Sequence, residues 1–297
     1  MATTVGELPD GFVIGPMRPG EETVLDTWAA AEGWNPGDGD IAVAHGFDPD
    51  AFIALRRGDE LIGGGTILSY GGRYGFMGLF IVRPEFRGEG LGTVLWHQRL
   101  RLLRARLDPD MPIGMDGVFD MVPFYERGGF RLAYRDLRFG GTASGEVDPA
   151  VVPIGMDAGG GAAGFDAVDA YDRRHVPAPR TAFLRAWLDR PGVRTGALVE
   201  DGALVGYAAL RRCRDGHRFG PVLAERPDVA ERLVATLAAG VAGQRLQLDV
   251  PEANDAALAL AGRFGLVEEF GCARLYHGPA PQVPVGRVFG VTSFEFG

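Results

Sequence analysis

The chain of 297 residues contains no lysine; all 30 of its basic residues are arginine. A Walker-type phosphate loop needs Gly-Lys-Ser or Gly-Lys-Thr, so that motif is excluded. Cysteine is almost as scarce: Cys213 and Cys272 are far apart and support no disulfide framework. The five histidines, His45, His97, His175, His217 and His277, are scattered without metal-ligand spacing, and no metal site is expected. No run of about 18 apolar residues is present, so no membrane span is expected. Residues 1–7 lack a basic segment followed by an apolar core, so no signal peptide is expected either. A formal net charge of -9 argues against non-specific binding to nucleic acid or to anionic membranes. A cytoplasmic globular protein is expected, 46% hydrophobic and 23% charged, whose length suggests two domains.

Against these absences stands one dense segment, Val82-Arg83-Pro84-Glu85-Phe86-Arg87-Gly88-Glu89-Gly90-Leu91-Gly92. The apolar run 78–82 reads as a strand that stops at Pro84, which cannot continue a ladder. Glycines follow at alternate positions, 88, 90 and 92, and then a helical pattern with Val94, Leu95, Leu100, Leu102 and Leu103 apolar. A strand, a glycine turn and a helix N-terminus together make an anion site, because unpaired N–H groups and the helix dipole both face the ligand. Glycine lets the backbone come close to phosphate oxygens. A phosphate-bearing cofactor is therefore expected. The spacing is G-x-G-x-G, not the G-x-G-x-x-G of a dinucleotide fold.

The segment resembles the acetyl-CoA loop of the GNAT N-acetyltransferases, V-x-P-x-x-[RQ]-G-x-G-x-[GA], with every fixed position filled. A second resemblance lies downstream, where Pro123-Phe124-Tyr125-Glu126-Arg127-Gly128-Gly129-Phe130 is similar to the family's Y-x-x-x-G-F helix and turn. The resemblance implies that Phe80, Ile81 and Val82 offer backbone to the pantetheine arm and to the developing oxyanion. It implies that Arg87, Gly88, Glu89, Gly90, Leu91, Gly92 and Thr93 cradle the pyrophosphate of acetyl-CoA. Tyr125 becomes the general acid that protonates the leaving thiolate. On the acceptor side, Glu32, Trp34 and Asn35 fall where the family places its substrate loop. Asp116, in the region of a short buried strand, Asp249, its counterpart downstream, and Glu32 are the candidate bases, each otherwise a turn or capping acid. Arg173, Arg174 and Arg180, around His175, form either a solvated face or a site for a substrate carboxylate.

The order of elements recurs. Residues 12–17, 52–55, 61–68 and 112–118 read as strands and 21–32 as a helix; residues 140–149 read as a linker. Beyond it come strands at 151–156, 195–200, 204–211, 219–223 and 246–250, with helices at 167–173, 181–189, 229–239 and 256–263. An internal duplication is expected: an α/β (α+β) chain of two tandem GNAT-like mixed sheets flanked by helices, divided into residues 1–143 and 144–297. In the second copy Pro221-Val222-Leu223-Ala224-Glu225-Arg226-Pro227 replaces the glycine loop, and Ala261 stands at the tyrosine position. Side chains, two prolines without N–H donors and the charge of Glu225 would all oppose a pyrophosphate. The whole resembles tandem-GNAT proteins with a degenerate second domain, including a bacterial YitH-like group. The closing segment 289–296 alternates enough to add a strand reaching the first half. The activity implied is acetyl transfer from acetyl-CoA to a primary amine of a small molecule. The alternatives are a protein N-terminal or lysine acetyltransferase and a non-catalytic CoA-binding sensor. No nucleic acid, membrane or metal partner is expected.

Overall fold

The computed structural model describes residues 8–157 and 161–297; the N-terminal seven, read above as lacking a signal peptide, lie outside the described residues. The first half runs β1 (Phe12–Pro16), α1 (Glu22–Ala31), α2 (Asp40–Phe47), β2 (Phe52–Arg57), β3 (Glu60–Tyr70), β4 (Tyr74–Val82), α3 (Leu91–Arg104), β5 (Ile113–Val118), α4 (Val122–Arg127) and β6 (Phe130–Thr142). The second runs β7 (Val151–Val152), α5 (Phe165–Asp172), α6 (Thr181–Leu188), β8 (Val193–Glu200), β9 (Ala203–Arg212), β10 (His217–Ala224), α7 (Pro227–Ala239), β11 (Arg245–Pro251), α8 (Asp255–Arg263), β12 (Val267–His277) and β13 (Val288–Gly290). The mixed α/β class and the repeated order are as expected. Several elements differ, among them β12, which was not expected. The strand expected over 151–156 stops at Val152, because Pro153 cannot donate to a ladder. Helix α2 escapes the sequence pattern because it is buried on several sides, Ile41, Val43 and Ala44 included, and shows no polar face. Gly140 and Gly141, read as linker, belong to β6, where Gly140 faces the Glu269 carboxylate and Gly141 the Leu266 side chain.

The two sheets are joined into one, ordered β1-β2-β3-β4-β5-β12-β6-β11-β10-β9-β8-β7, with β13 paired to β10. The joint is a reciprocal exchange. β5 pairs antiparallel with β12 of the second half, from Ile113 opposite His277 to Val118 opposite Cys272. β6 pairs with β11, from Thr142 opposite Arg245 to Asp136 opposite Pro251, and with β12 on its other edge. Each half thus completes the other's sheet.

Buried charges reinforce the joint. Asp40 of α2 takes the guanidinium groups of Arg190 and Arg211. Asp249 of β11 accepts two bonds from Arg138 of β6, at 2.7 and 2.8 Å. Asn35 donates to the Gln247 side chain and the Asp215 carbonyl at 2.8 and 2.9 Å, and accepts from the Asp215 N–H. The C-terminal tail crosses back into the first half, where the Tyr70 hydroxyl donates to the Phe296 carbonyl at 2.6 Å. The closing segment reaches the first half at Phe296, but the strand it forms, Val288–Gly290, pairs with β10 of the second half and not with the first.

Candidate active site

β4 and β5 run parallel but pair only at Gly75–Ile113 and Phe76–Gly114. Beyond those positions they diverge, and the edge of β4 from Met77 to Val82 opens into a cavity of about 600 Å3. On the opposite edge the β3–β4 register shifts between Gly64 and Thr66, and Leu79 takes a left-handed φ of 50°. This is a bulge, which bends a strand and re-aims its backbone. Arg99 of α3 lies buried behind it and donates to the Thr66 and Gly78 carbonyls at 2.5 and 2.6 Å. The bulge and its arginine pin were not apparent from the sequence.

The strand ends in the glycine turn. Gly88 and Gly90 have φ of 85° and 81°, a region that side-chain-bearing residues rarely adopt. Gly90 is the N-cap of α3, and no side chain caps the N–H groups there. Gly92 is different: a Cβ on it would meet only Phe80 and Val82, at ordinary distances of 3.6 and 3.7 Å. The protein's own packing does not require glycine at that position. Arg87 braces the turn by donating Nε to the Val82 carbonyl at 2.7 Å, and its guanidinium pairs with Glu32. Gly88, Gly90, Gly92 and Thr93 line the cavity, whereas Leu91 is buried in the core and Glu89 is exposed.

Phe80, Ile81, Val82 and Tyr125 line the same cavity. Tyr125 sits on α4 with its ring edge against Gly117, where a Cβ would come within 2.3 Å. Burial pushes its hydroxyl up to about 12, so it stays protonated at neutral pH. Glu32, Trp34 and Asp116 also face the cavity, and Arg138 holds the Trp34 carbonyl at 2.7 Å. Asn35 does not line it; its amide is spent on Asp215 and Gln247. Asp116 accepts from Nε and Nη2 of Arg274 at 2.6 and 2.7 Å, and Asp136 lies 3.3 Å from the same guanidinium. Burial raises both carboxyls, and Asp136 further because the Asp116 charge adds to the burial. Asp249 lies outside the cavity; burial opposes its charge, but Arg138 prevails and holds its carboxyl below the usual range.

The second half is built otherwise at the matching place. Only Glu225 and Arg226 separate β10 from α7, and Pro227 occupies the helix's first turn. Glu225 pairs with Arg287 at 2.9 Å, and Arg226 with Glu200 and Asp228, each at 3.0 Å. β10 pairs with β11 only from His217 to Phe219; past that point β13 lies against β10, Val222 opposite Gly290. The gap that is open between β4 and β5 is filled in the second half by the chain's own strand. Arg180, expected on a polar face or at a carboxylate, is buried against Asp172, with bonds of 3.0 and 2.8 Å.

The second half contributes four cavity residues that the sequence did not point to: Phe270, Cys272, Phe294 and Glu295. Arg138 lies under Phe294 and Phe270, its guanidinium carbon 4.9 and 5.5 Å from their ring centres. Among the described residues no cluster of three potential metal ligands occurs.

Two family models match, both of the GNAT acetyltransferases: "Acetyltransferase (GNAT) family" over residues 21–130 and "Acetyltransferase (GNAT) domain" over residues 168–290. The chain is 29% identical over 279 residues to the holothin acyltransferase of Pseudoalteromonas sp., covering 93% of this chain and 92% of that one. It is 24% identical over 184 residues to YitH of Bacillus subtilis, an uncharacterized N-acetyltransferase, covering 61% of each chain. A Pyrococcus horikoshii protein assigned to the acetyltransferases shares the fold, with a TM-score of 0.80 at 20% identity over 98% of both chains. With an intact loop in its first half and a filled gap in its second, the chain belongs to the GNAT N-acetyltransferases and is an acyltransferase of tandem-domain type.

Proposed function

We propose that the chain moves an acetyl group from acetyl-CoA to a primary amine of a small molecule, by direct attack in the first-half cavity. The observation that carries this is one cavity holding the free edge of β4, the uncapped N-terminus of α3 and Tyr125 together. These residues fit a CoA thioester. The β4 edge offers N–H and C=O groups to the amides of the pantetheine arm, and Gly88 to Thr93 offer N–H groups and the helix dipole to the pyrophosphate. Acetyl-CoA supplies an activated acyl carbon and a thiolate leaving group. The chain positions the acceptor against that carbon, offers a β4 N–H to the oxygen that gains charge, and holds a proton on Tyr125 for the sulfur.

A small acceptor is supported by the walls. Phe270, Phe294 and Glu295 of the second half line the cavity beside residues of the first, and Trp34 and Phe124 add apolar surface. An extended protein segment would need an open groove there. Likeness to the holothin acyltransferase along nearly the whole chain supports the same class. The filled β10–β11 gap supports residues 1–143 as the catalytic half and residues 144–297 as the half that completes the cavity. The test is thiol release from acetyl-CoA with alkyl and arylalkyl primary amines, and with a peptide as comparison. Release with small amines and not with the peptide is expected; release with the peptide alone would refute a small acceptor.

A further inference from the structure

An acceptor amine is an ammonium ion at neutral pH and must lose a proton before its nitrogen can attack. Building on the amine acetylation proposed above, we infer that Glu295, in the C-terminal tail, binds that ammonium and takes its proton. Glu295 lines the cavity and is only 6% exposed. Its backbone presses on the start of the open β4 edge, so closely that a Cβ on Gly78 would stand 1.9 Å from its carbonyl oxygen.

No arginine is paired with the carboxylate, although the Arg218 charge acts on it from beyond ion-pair distance. Asp116 is held by Arg274, Glu32 by Arg87 and Asp249 by Arg138. Among the described residues Glu295 has no arginine within ion-pair distance; it accepts the Ser293 hydroxyl at 2.5 Å. A buried carboxylate without a directly paired cation is costly, and an incoming ammonium lowers that cost. The groups facing it from neighbouring elements are Asp116 of β5, Cys272 of β12 and Arg218 of β10. None of them competes as base. Asp116 is tied to Arg274, burial pushes the Cys272 thiol well up, and Arg218 lies 3.8 Å from Asp249.

The tail that carries Glu295 is fixed along its length. β13 pairs with β10, the Val291 N–H donates to the Asp249 carbonyl at 2.9 Å, and Arg180 donates to the Thr292 hydroxyl at 2.8 Å. A base set in this way keeps its distance to the β4 edge without a closing motion. Glu295 takes one proton from the ammonium, and the freed lone pair forms the N–C bond. The C–S bond then breaks as Tyr125 gives its proton to sulfur, and the second proton leaving nitrogen restores Tyr125. The proton on Glu295 is the one released to solvent.

The experiment compares wild type with Glu295→Gln in thiol release, with alkyl and arylalkyl primary amines as acceptors, from pH 6.5 to 9.5. General-base loss predicts kcat/KM lower by roughly 100-fold at pH 7. The gap should narrow as pH rises, because more of the amine is already free. CoA affinity by calorimetry should be unchanged. A Glu295→Gln protein with wild-type turnover, or with a deficit independent of pH, would overturn the assignment. Wild type that releases thiol with none of these amines would instead overturn the amine reading, and this inference with it. Should Glu295→Gln not fold, Ser293→Ala provides the second arm. Losing the hydroxyl that holds the carboxylate in place should lower kcat/KM by roughly tenfold at pH 7 with CoA affinity unchanged. A Ser293→Ala protein with wild-type kcat/KM would equally count against Glu295.

Discussion

Gly92→Ala separates what the fold needs from what a cofactor needs. Gly88 and Gly90 have left-handed backbones, so replacing either strains the protein itself. Gly92 lies in the first turn of α3, and its added methyl would meet Phe80 and Val82 only at 3.6 and 3.7 Å. Alanine is favoured over glycine in helices by up to about 1 kcal/mol. The ligand-free variant should therefore melt at the wild-type temperature or up to roughly 2 °C above it. If the pyrophosphate rests on this turn, the methyl enters its space, and overpacking of that kind costs about 1–3 kcal/mol. CoA should then bind about 5- to 150-fold more weakly. Gly262→Ala on α8, where an added methyl meets nothing within 4 Å, is the control and should leave binding alone. The assay is a thermal melt without ligand beside calorimetry with CoA. A stable Gly92→Ala protein with unchanged affinity would refute contact between this turn and the cofactor, and a strongly destabilised one would show that the fold itself requires the glycine.

Tyr125→Phe should lower kcat at least tenfold while changing CoA affinity less than twofold, and unchanged turnover with chemistry rate-limiting would return the residue to packing. Because burial pushes Tyr125 up to about 12, its hydroxyl should add no alkaline limb to kcat below about pH 11. Burial opposes the charge of Asp40, but Arg211 and Arg190 hold its carboxyl below the usual value, so it contributes stability above pH about 4 that is lost as pH falls through its folded pKa. Asp40→Asn leaves both arginines uncompensated and should cost about 3–5 kcal/mol in urea denaturation, with a shallower loss below pH 4 than wild type shows. Calorimetry should count one CoA per chain, and two equivalent sites would refute the reading of the second half. A chain ending at Thr142 lacks the partners of β5 and β6 and should be insoluble or inactive; a soluble, active product would refute the need for the exchange.

Much of the fold is legible because local chemistry decides it. The strand, turn and helix around Val82–Gly92 follow from Pro84, from glycines where φ is positive, and from the apolar periodicity of α3. The absence of such a turn in the second half is equally local, since Pro227 and Arg226 can be read directly. The exchange between β5, β12 and β6 is not local. β6 and β12 both follow a short helix and a glycine, and nothing in either pattern says which partner it takes. For the same reason Phe270, Cys272, Phe294 and Glu295 could not be placed at a cavity whose other wall lies more than 140 residues earlier in the chain. Asn35 shows the converse: its neighbourhood in sequence suggested the acceptor side, but long-range bonds to Asp215 and Gln247 claim it.

The exchange also sets a schedule for biosynthesis. β5 leaves the ribosome with one edge bare, and the strand that covers it ends at His277, roughly 160 residues later. At about 5–20 residues per second that is a wait of roughly 8 to 30 s, during which β5 offers unpaired N–H and C=O groups and β6 is free to close on it as a false partner. The nascent chain must either keep that edge covered by other means or release a wrongly paired β6 when β12 arrives. Slow translation through 143–266 would lengthen the exposure, and a chain interrupted there would leave an open sheet edge able to pair with another copy of itself.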